Sequence, residues 1–273
     1  EDFDVVFFNQ NLAETLDEQT LTKIGMDCKR GFDLDLQSRS EWEADLEEWT
    51  KLAKQIREPK SFPWNKASNV KYPLLTTAAM QFAARAYPSL VPANGQIVSS
   101  TVVGKDSTEE KLNKAQRVSS FMSYQILQEM DRWEEDMDKL LMMLPIVGTL
   151  FKKTWYDKAT DKIKSMLIMP KNLVINYWTT CLENAERISE IIELSPRLVK
   201  ERQNQGLFLD VDLGPASAPD TENNAGYTSD DSTVPYVFVE QHTFLDLDDD
   251  NYPEPYIVTV SYTHLTLPTK LEV

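Results

Sequence analysis

Apolar side chains near the start of the chain recur at the three- and four-residue intervals of amphipathic helices. One helix is predicted from about Asn11 to Leu36. A second begins at Ser40, where Ser40 and Glu43 form a Ser-x-x-Glu capping box, and it ends before Pro59. Such an aromatic-rich helix is typical of a core or of a subunit interface. Its apolar stripe consists of Trp42, Leu46, Trp49, Ala53 and Ile56.

Two further helical patterns follow. The segment Leu74–Tyr87 carries almost no charge apart from Arg85, so we expect a helix that is buried on nearly all sides. A long helical stretch then begins at a second capping box, Ser107 with Glu110, and runs to about Leu144. Its predicted apolar face consists of Leu112, Ala115, Val118, Phe121, Met122, Gln125 and Ile126.

Segments rich in Val, Ile, Thr and aromatic residues predict strands, and Gln96–Val103 is the first of them. Thr149–Tyr156 and Lys162–Met169 form a predicted hairpin. The pattern at Ala185–Leu194 fits either a strand or a helix. The remaining predictions are a short strand at Asn172–Tyr177, a helix capped by Ser195, and a final hairpin of Val234–Leu247 with Tyr256–Thr259.

The order of these elements predicts an α+β fold, with a helical N-terminal half followed by mixed or antiparallel strands and hairpins. Five segments are predicted along the chain. They are N-terminal helices at 1–60, an α+β core at 61–213, a flexible loop rich in Pro, Ser, Asn, Asp and Gly at 214–235, a β-hairpin at 236–259 and a non-native tail at 260–273.

The tail is set apart by the run Val260–Thr269, which resembles the conceptual translation of a sequencing adapter used for transposon libraries. We therefore leave residues 260–273 out of functional reasoning, as one leaves out a cloning scar. We also expect the natural protein to continue beyond this fragment. The alternative is a genuine final strand of ordinary sequence.

Charge and composition narrow the function classes. With 28 Lys and Arg against 44 Asp and Glu, the chain carries a formal charge of −16, whereas non-specific DNA binding depends on cationic contacts that release counterions. The chain is therefore not expected to grip DNA over its whole surface, although it could surround DNA or carry a local basic face. Cys28 and Cys181 lack metal-ligand spacing and are expected to be buried, reduced thiols. The longest apolar run, Leu140–Phe151, is too short to span a membrane.

Motifs that carry catalysis are missing from the sequence. It has no glycine-rich phosphate loop, no H-E-x-x-H and no C-x-x-C, and His242 is the only histidine outside the tail. His242 lies in a strand pattern, where a hydrogen-bonded histidine is expected rather than a catalytic base. We therefore expect no enzymatic activity and no cofactor, while chemistry that uses carboxylates alone stays open.

Asp246, Asp248 and Asp250 form the best candidate metal site, because carboxylates at alternate positions can converge on a hard cation such as Ca²⁺. A complete calcium loop would place Gly at its sixth position and Glu at its twelfth, and here those positions are Asn251 and Ile257. We therefore favour a solvated acidic hairpin tip. A calcium-dependent enzyme built on the three aspartates is the rival hypothesis.

The best cationic candidate is the first predicted hairpin, whose lysines alternate with aromatic residues. Such a surface could contact phosphates or an acidic neighbouring subunit. Asp157 and Asp161 dilute its charge, and a solvated hairpin face is the favoured interpretation. The candidate contact residues are Lys152, Lys153, Lys158, Lys162 and Lys164.

A series of short stretches is spread in order along residues 3–259. They are Pro63–Val70, Tyr72–Leu75, Gln81–Ala86, Phe121–Gln125, Leu140–Leu141, Leu144–Pro145, Phe151–Lys153, Glu240–His242, Leu245–Asp248 and Pro255–Thr259. In their order and number these stretches resemble the large portal proteins of tailed phages, especially those of short-tailed phages. No single stretch is a catalytic signature.

The resemblance implies a ring, usually of twelve subunits, at one vertex of the virion, with assembly in the host cytoplasm. Double-stranded DNA would pass through its channel during packaging and ejection. The fragment would hold mostly the wing, the α+β part at the ring periphery, with stem and crown largely missing. The implied partners are other portal subunits, the major capsid or scaffolding protein, the terminase and head–tail adaptors, with no membrane. Another virion protein, such as an adaptor, is a further alternative.

Overall fold

A computed structural model describes residues 11–56, 61–65, 67–68, 70–104, 108–157, 160–214, 216, 233–247, 250–262 and, for the backbone alone, 268–272. The chain forms two compact units. We call Glu1–Ser40 with Lys171–Val273 the sheet unit, and Glu41–Pro170 the helical unit. The predicted α+β class is confirmed, since α-helices and two antiparallel sheets are present.

Six α-helices are found among the described residues. They are α1 Glu18–Ser38, α2 Ser40–Ala53, α3 Leu74–Leu90, α4 Glu109–Tyr124, α5 Trp133–Val147 and α6 Pro196–Asn204. The strands in the same part of the chain are β1 Phe151–Asp157, β2 Lys162–Ile168, β3 Leu173–Ile175, β4 Arg187–Leu194, β5 Tyr236–Leu245, β6 Glu254–Ser261 and β7 Pro268–Glu272. β1 and β2 form a hairpin, and the others form one antiparallel sheet in the order β3-β4-β5-β6-β7.

The sheet unit packs α1 against one face of its five-stranded sheet. Because side chains along a strand alternate between faces, the cross-strand row of Ser189, Gln241 and Val258 points to α1. The Gln241 amide is buried and donates to the Ser189 hydroxyl at 2.9 Å and to the Cys28 carbonyl oxygen of α1 at 3.2 Å. The apolar core on this face consists of Leu12, Ala13, Leu21, Ile24, Cys28, Tyr256, Val258 and Val260.

The opposite face of the sheet is partly covered by α6 and the segment after it. Ser195 caps α6, as the sequence predicts, and its hydroxyl accepts a backbone N–H of the first turn at 3.5 Å. Val199 and Phe208 belong to the same buried cluster as Phe238 of β5, which is fully buried. The segment Ala185–Leu194, ambiguous by its pattern, is therefore a strand from Arg187 onward, in the middle of a covered sheet.

A buried ion pair joins α1 to the sheet. The Asp35 carboxylate is completely buried and accepts two hydrogen bonds from the Arg187 guanidinium, at 3.0 and 3.1 Å, and one from the Asn176 amide at 2.9 Å. The Arg187 side chain lies so close to Gly31 that an added Cβ would be 2.8 Å from its Nε. This close approach explains a glycine in the interior of α1, where it costs about 1 kcal/mol of helix stability relative to alanine.

The helical unit contains a packed pair, α3 and α5. α4 ends in a π-helical turn at Gln125–Glu129, and Arg132 adopts a left-handed φ of 61° before α5 begins. The long helical stretch predicted from Ser107 is therefore two helices, and Ser107 itself lies outside the described residues. β2 is tied to α5 by the Leu167 N–H, which donates to the Asp136 carboxylate at 3.1 Å.

Three predictions about the helical unit are wrong. Gln96–Val103 forms no strand; it is an extended segment that hydrogen bonds to α4 through serine side chains. α3, predicted to be buried on nearly all sides, buries Ala79 and Ala83 and exposes most of its large apolar side chains. α4 turns small serines inward and its predicted apolar face outward. In α3 and α4 the chain has folded without a covering layer that the sequence pattern alone led us to expect.

The C-terminal strands extend past their predicted boundaries. β6 runs to Ser261 rather than Thr259, with Val260 and Ser261 buried, and the backbone of β7 pairs with it. The structured part of the chain therefore passes the predicted start of the non-native tail at residue 260, whose foreign origin stays a prediction. Most of the predicted loop at 214–235 lies outside the described residues.

Removal of the Arg187 guanidinium should destabilise the sheet unit, because it would leave the Asp35 carboxylate buried without its countercharge. We expect Arg187→Met to lower the free energy of unfolding by about 3 kcal/mol, the low end for a broken buried pair, since Arg187 itself is partly exposed. Denaturant titration measures the change. The control is Arg197→Met, at an exposed position of α6, and equal losses in both variants would contradict the role of the pair.

Candidate functional site

The β1–β2 hairpin carries the lysines predicted to contact phosphates or a neighbouring subunit. Its register pairs Trp155 with Lys164 and Lys153 with Met166, so these four side chains share one face. The Lys153 ammonium lies 5.9 Å from the centre of the Trp155 ring. The Lys164 ammonium pairs with the Asp157 carboxylate at 2.5 Å, which neutralises part of the positive charge on this face.

Lys152 points to the other face of the hairpin. Its ammonium lies 4.5 Å from the ring centre of Trp133 in α5. Burial lowers the pKa of Lys152, and the nearby Asp136 carboxylate opposes that shift. Lys152 therefore acts within the helical unit, where its cation packs on an aromatic ring instead of facing solvent.

The predicted group of five lysines is thus divided. Lys162 is exposed, and the register places it opposite Asp157 on the same face as Trp155. Lys158 lies outside the described residues. The structure brings together Lys153, Lys162 and Lys164 on one face, with Asp157 beside them, and separates Lys152 from them. A strong grip on phosphates needs several unneutralised cations on one surface, which this face does not supply.

The acidic turn between β5 and β6 is shaped by Asp246. Its two carboxylate oxygens accept the backbone N–H groups of Asp250 and Asn251, at 3.2 and 2.9 Å. Asn251 adopts a left-handed φ of 66°, which Asn tolerates better than most residues. Asp246 therefore closes the turn, and Asp248 lies outside the described residues. In the part of the chain that the structure describes, no group of three or more His, Cys, Asp or Glu side chains is placed to hold a metal ion.

The histidine and the two cysteines take ordinary positions. His242 lies in β5, partly exposed, with its Nε2 3.7 Å from the Glu240 carboxylate. Cys28 is buried in α1, and desolvation raises the pKa of its thiol to about 12. Cys181 is exposed, so the prediction of two buried thiols is wrong for this residue.

A polar cleft that sequence reasoning missed lies beside the Asp35–Arg187 pair. Its volume is about 350 Å³, and Asn176, Thr179 and the exposed Trp178 contribute to its lining. Asp35 and Arg187 are 152 residues apart, so no local sequence signal could have paired them. Asp35 and Arg187 satisfy each other, and Glu186 is the further charged residue of the cleft lining.

The helical unit leaves a wide set of apolar side chains open to solvent. We call them the open apolar set. In α4 the buried residues are Ser119 and Ser123, while aromatic and aliphatic side chains of the helix are exposed to water. This arrangement inverts the usual preference of an amphipathic helix. The set comprises Leu52, Ile56, Phe62, Trp64, Val70, Tyr72, Leu74, Met80, Phe82, Leu90, Val103, Leu112, Val118, Phe121, Met122, Tyr124, Met142, Trp155, Tyr156, Ile163 and Met166.

Comparisons with known proteins leave the chain without an assigned family. No protein-family model matches it, and no curated protein does. Among the described helices, none is both long and apolar enough to cross a membrane. The resemblance to phage portal proteins therefore stays a prediction that depends on the sequence stretches.

Calcium should not bind tightly at the turn between β5 and β6, because Asn251 and Ile257 stand where a complete calcium loop has its Gly and its bidentate Glu. Calorimetric titration with Ca²⁺ should give the same small, unsaturable heat for the wild type and for Asp248→Ala. A saturable heat that disappears in Asp248→Ala together with a catalytic activity would instead support the rival calcium-dependent enzyme.

Proposed function

We propose that the chain is a subunit of the portal ring of a tailed phage, which forms the channel for packaging and ejecting double-stranded DNA. The observation that carries the proposal is how little apolar surface the helical unit buries by itself. A ring subunit has this property when neighbouring copies cover its open surface, because the interfaces of obligate oligomers resemble a domain core cut in half.

Apolar burial is concentrated in the sheet unit. The three clusters of buried apolar side chains found among the described residues all lie there. Two of the six buried apolar residues described in the helical unit are alanines, which contribute little area. The six are Leu46, Ala79, Ala83, Leu141, Val147 and Ile168.

The open apolar set is large enough to support assembly. Trp64 is 68% exposed, Tyr72 is 79% exposed and Phe121 is 58% exposed. Full burial of a side chain such as Leu or Phe contributes about 1.5–3 kcal/mol. Exposed apolar side chains mark a site of association with another protein when they form a contiguous patch. We infer that this partner is a further copy of the same chain.

The open apolar set coincides with stretches that carry the family resemblance. Trp64 and Val70 lie in the first of those stretches, Tyr72 and Leu74 lie in the second, and Phe121 opens a later one. The features by which the chain resembles portal proteins are therefore partly surface features. This coincidence supports a function in assembly.

The negative net charge of the chain fits a channel through which DNA slides better than a surface that holds DNA tightly. The net charge is −16, and the described lysines of the hairpin are divided between its two faces. A channel that lets DNA slide has reason to avoid many tight phosphate contacts. Within this proposal, the ring sits at one vertex of the virion and contacts the major capsid or scaffolding protein, the terminase and head–tail adaptors.

Electron microscopy of the purified full-length protein should show rings with a central hole. Assembly follows from the cost of leaving the open apolar set in water, and mass photometry of the same sample should show one dominant closed species. A full-length protein that stays monomeric at micromolar concentration while it turns over a substrate would contradict the proposal.

A further inference from the structure

We propose that the outward face of α4 in one copy docks on the outward face of α2 in the next copy, in a head-to-tail contact. The inference rests on the proposed ring and names the surfaces that would join its subunits. It draws on the charges of the two helices, which the ring proposal does not use.

The outward face of α4 begins with the acidic Glu110, continues with two basic residues and ends with aromatic residues. Lys114, Arg117, Phe121 and Tyr124 are all exposed and follow one another at three- and four-residue intervals, so they lie along one side of the helix. The opposite side is fixed by hydrogen bonds within the unit. Ser119 donates to the Val98 carbonyl oxygen and accepts from the Gln96 amide, and Ser123 accepts the Val98 N–H at 3.1 Å.

The outward face of α2 is acidic at its start and aliphatic at its end. Glu41, Asp45, Glu48 and Leu52 are exposed, and their spacing of four, three and four residues places them on one side of the helix. Ile56 is also exposed just beyond the helix. Leu46 is the only buried residue of α2, so most of the surface of this helix is available to a partner.

The two faces complement each other when the helices run side by side in the same direction. Lys114 and Arg117 then lie opposite Asp45 and Glu48, and the aromatic residues that follow lie opposite Leu52 and the residues after it. The same register places Glu110 opposite Glu41, so one repulsive pair at the start of the contact opposes the two attractive pairs. The two rows also have similar lengths, about 15 Å each at the helical rise of 1.5 Å per residue. Charges at such a contact set the register and exclude wrong partners.

The pairing also predicts the symmetry of the assembly. Two basic faces repel each other, as do two acidic faces, so contacts of a face with its own copy are disfavoured. A contact between unlike faces is heterologous, and its repetition generates a closed ring when the rotation permits. Lys114 also pairs with Glu110 at 2.7 Å, and both side chains are largely exposed, so this pair within the helix offsets part of the Glu110 charge at the contact.

Charge reversal in the full-length protein tests the contact. One variant carries Lys114→Glu with Arg117→Glu, and the other carries Asp45→Lys with Glu48→Lys. Each variant alone should assemble at least about tenfold more weakly than the wild type in mass photometry, because each juxtaposes like charges. An equimolar mixture should recover rings, because every contact can again join unlike charges if the two variants alternate. The recovered rings should therefore contain even numbers of subunits in native mass spectrometry.

The matched control reverses two exposed cations on α1, Lys23→Glu with Arg30→Glu, and it should leave assembly unchanged. Circular dichroism of each variant monitors folding. Rings that form equally well in both single-face variants, or a mixture that recovers nothing while both variants remain folded, would overturn the α2–α4 contact and leave the ring itself standing. A wild-type protein that forms no rings would overturn the proposed function and this inference with it.

Discussion

The removal of apolar side chains from water is the constraint on which this fold depends, and the two units meet it in different ways. In the sheet unit, α1 covers one face of a five-stranded sheet and α6 covers part of the other, so each face has its own apolar cluster. The Asp35 carboxylate buried there is paired with the Arg187 guanidinium. The helical unit buries a few large apolar residues, such as Leu46 and Leu141, and leaves many more in solvent. The first arrangement buries its apolar clusters within one chain, whereas under the proposed function neighbouring copies cover the second.

Local signals were sufficient where a single segment decides the outcome. The cap of α6 at Ser195 and the β1–β2 hairpin could both be predicted, because capping residues and alternating patterns act within a few residues. α2 also begins at Ser40, the residue at which the sequence predicts it to begin. The sequence could not show which face of α4 points inward. That face is set by hydrogen bonds from Gln96 and Val98, in the segment before the helix, to Ser119 and Ser123. The pairing of Asp35 with Arg187 has no local signal at all.

The candidate sites show the same division between local pattern and tertiary placement. Five lysines close together in sequence predicted one basic surface, but the alternation of side chains along β1 sends Lys152 to α5 and Lys153 to the opposite face. The aspartates after β5 suggested a cation site, but Asp246 uses its oxygens to accept N–H groups of the turn. Lys152 and Asp246 therefore have roles in the packing of their own unit. The open apolar set has no internal explanation of that kind, and for this reason it points to assembly.

Hydrogen–deuterium exchange of the full-length protein, compared between dilute monomer and assembled ring, tests the central claim most directly. If neighbouring copies cover the helical unit, amides of α2 and α4 should exchange much more slowly in the ring, while those of β4, β5 and β6 should exchange equally in both states. Equal exchange of the helical unit in the two states, or protection confined to the sheet unit, would contradict the account.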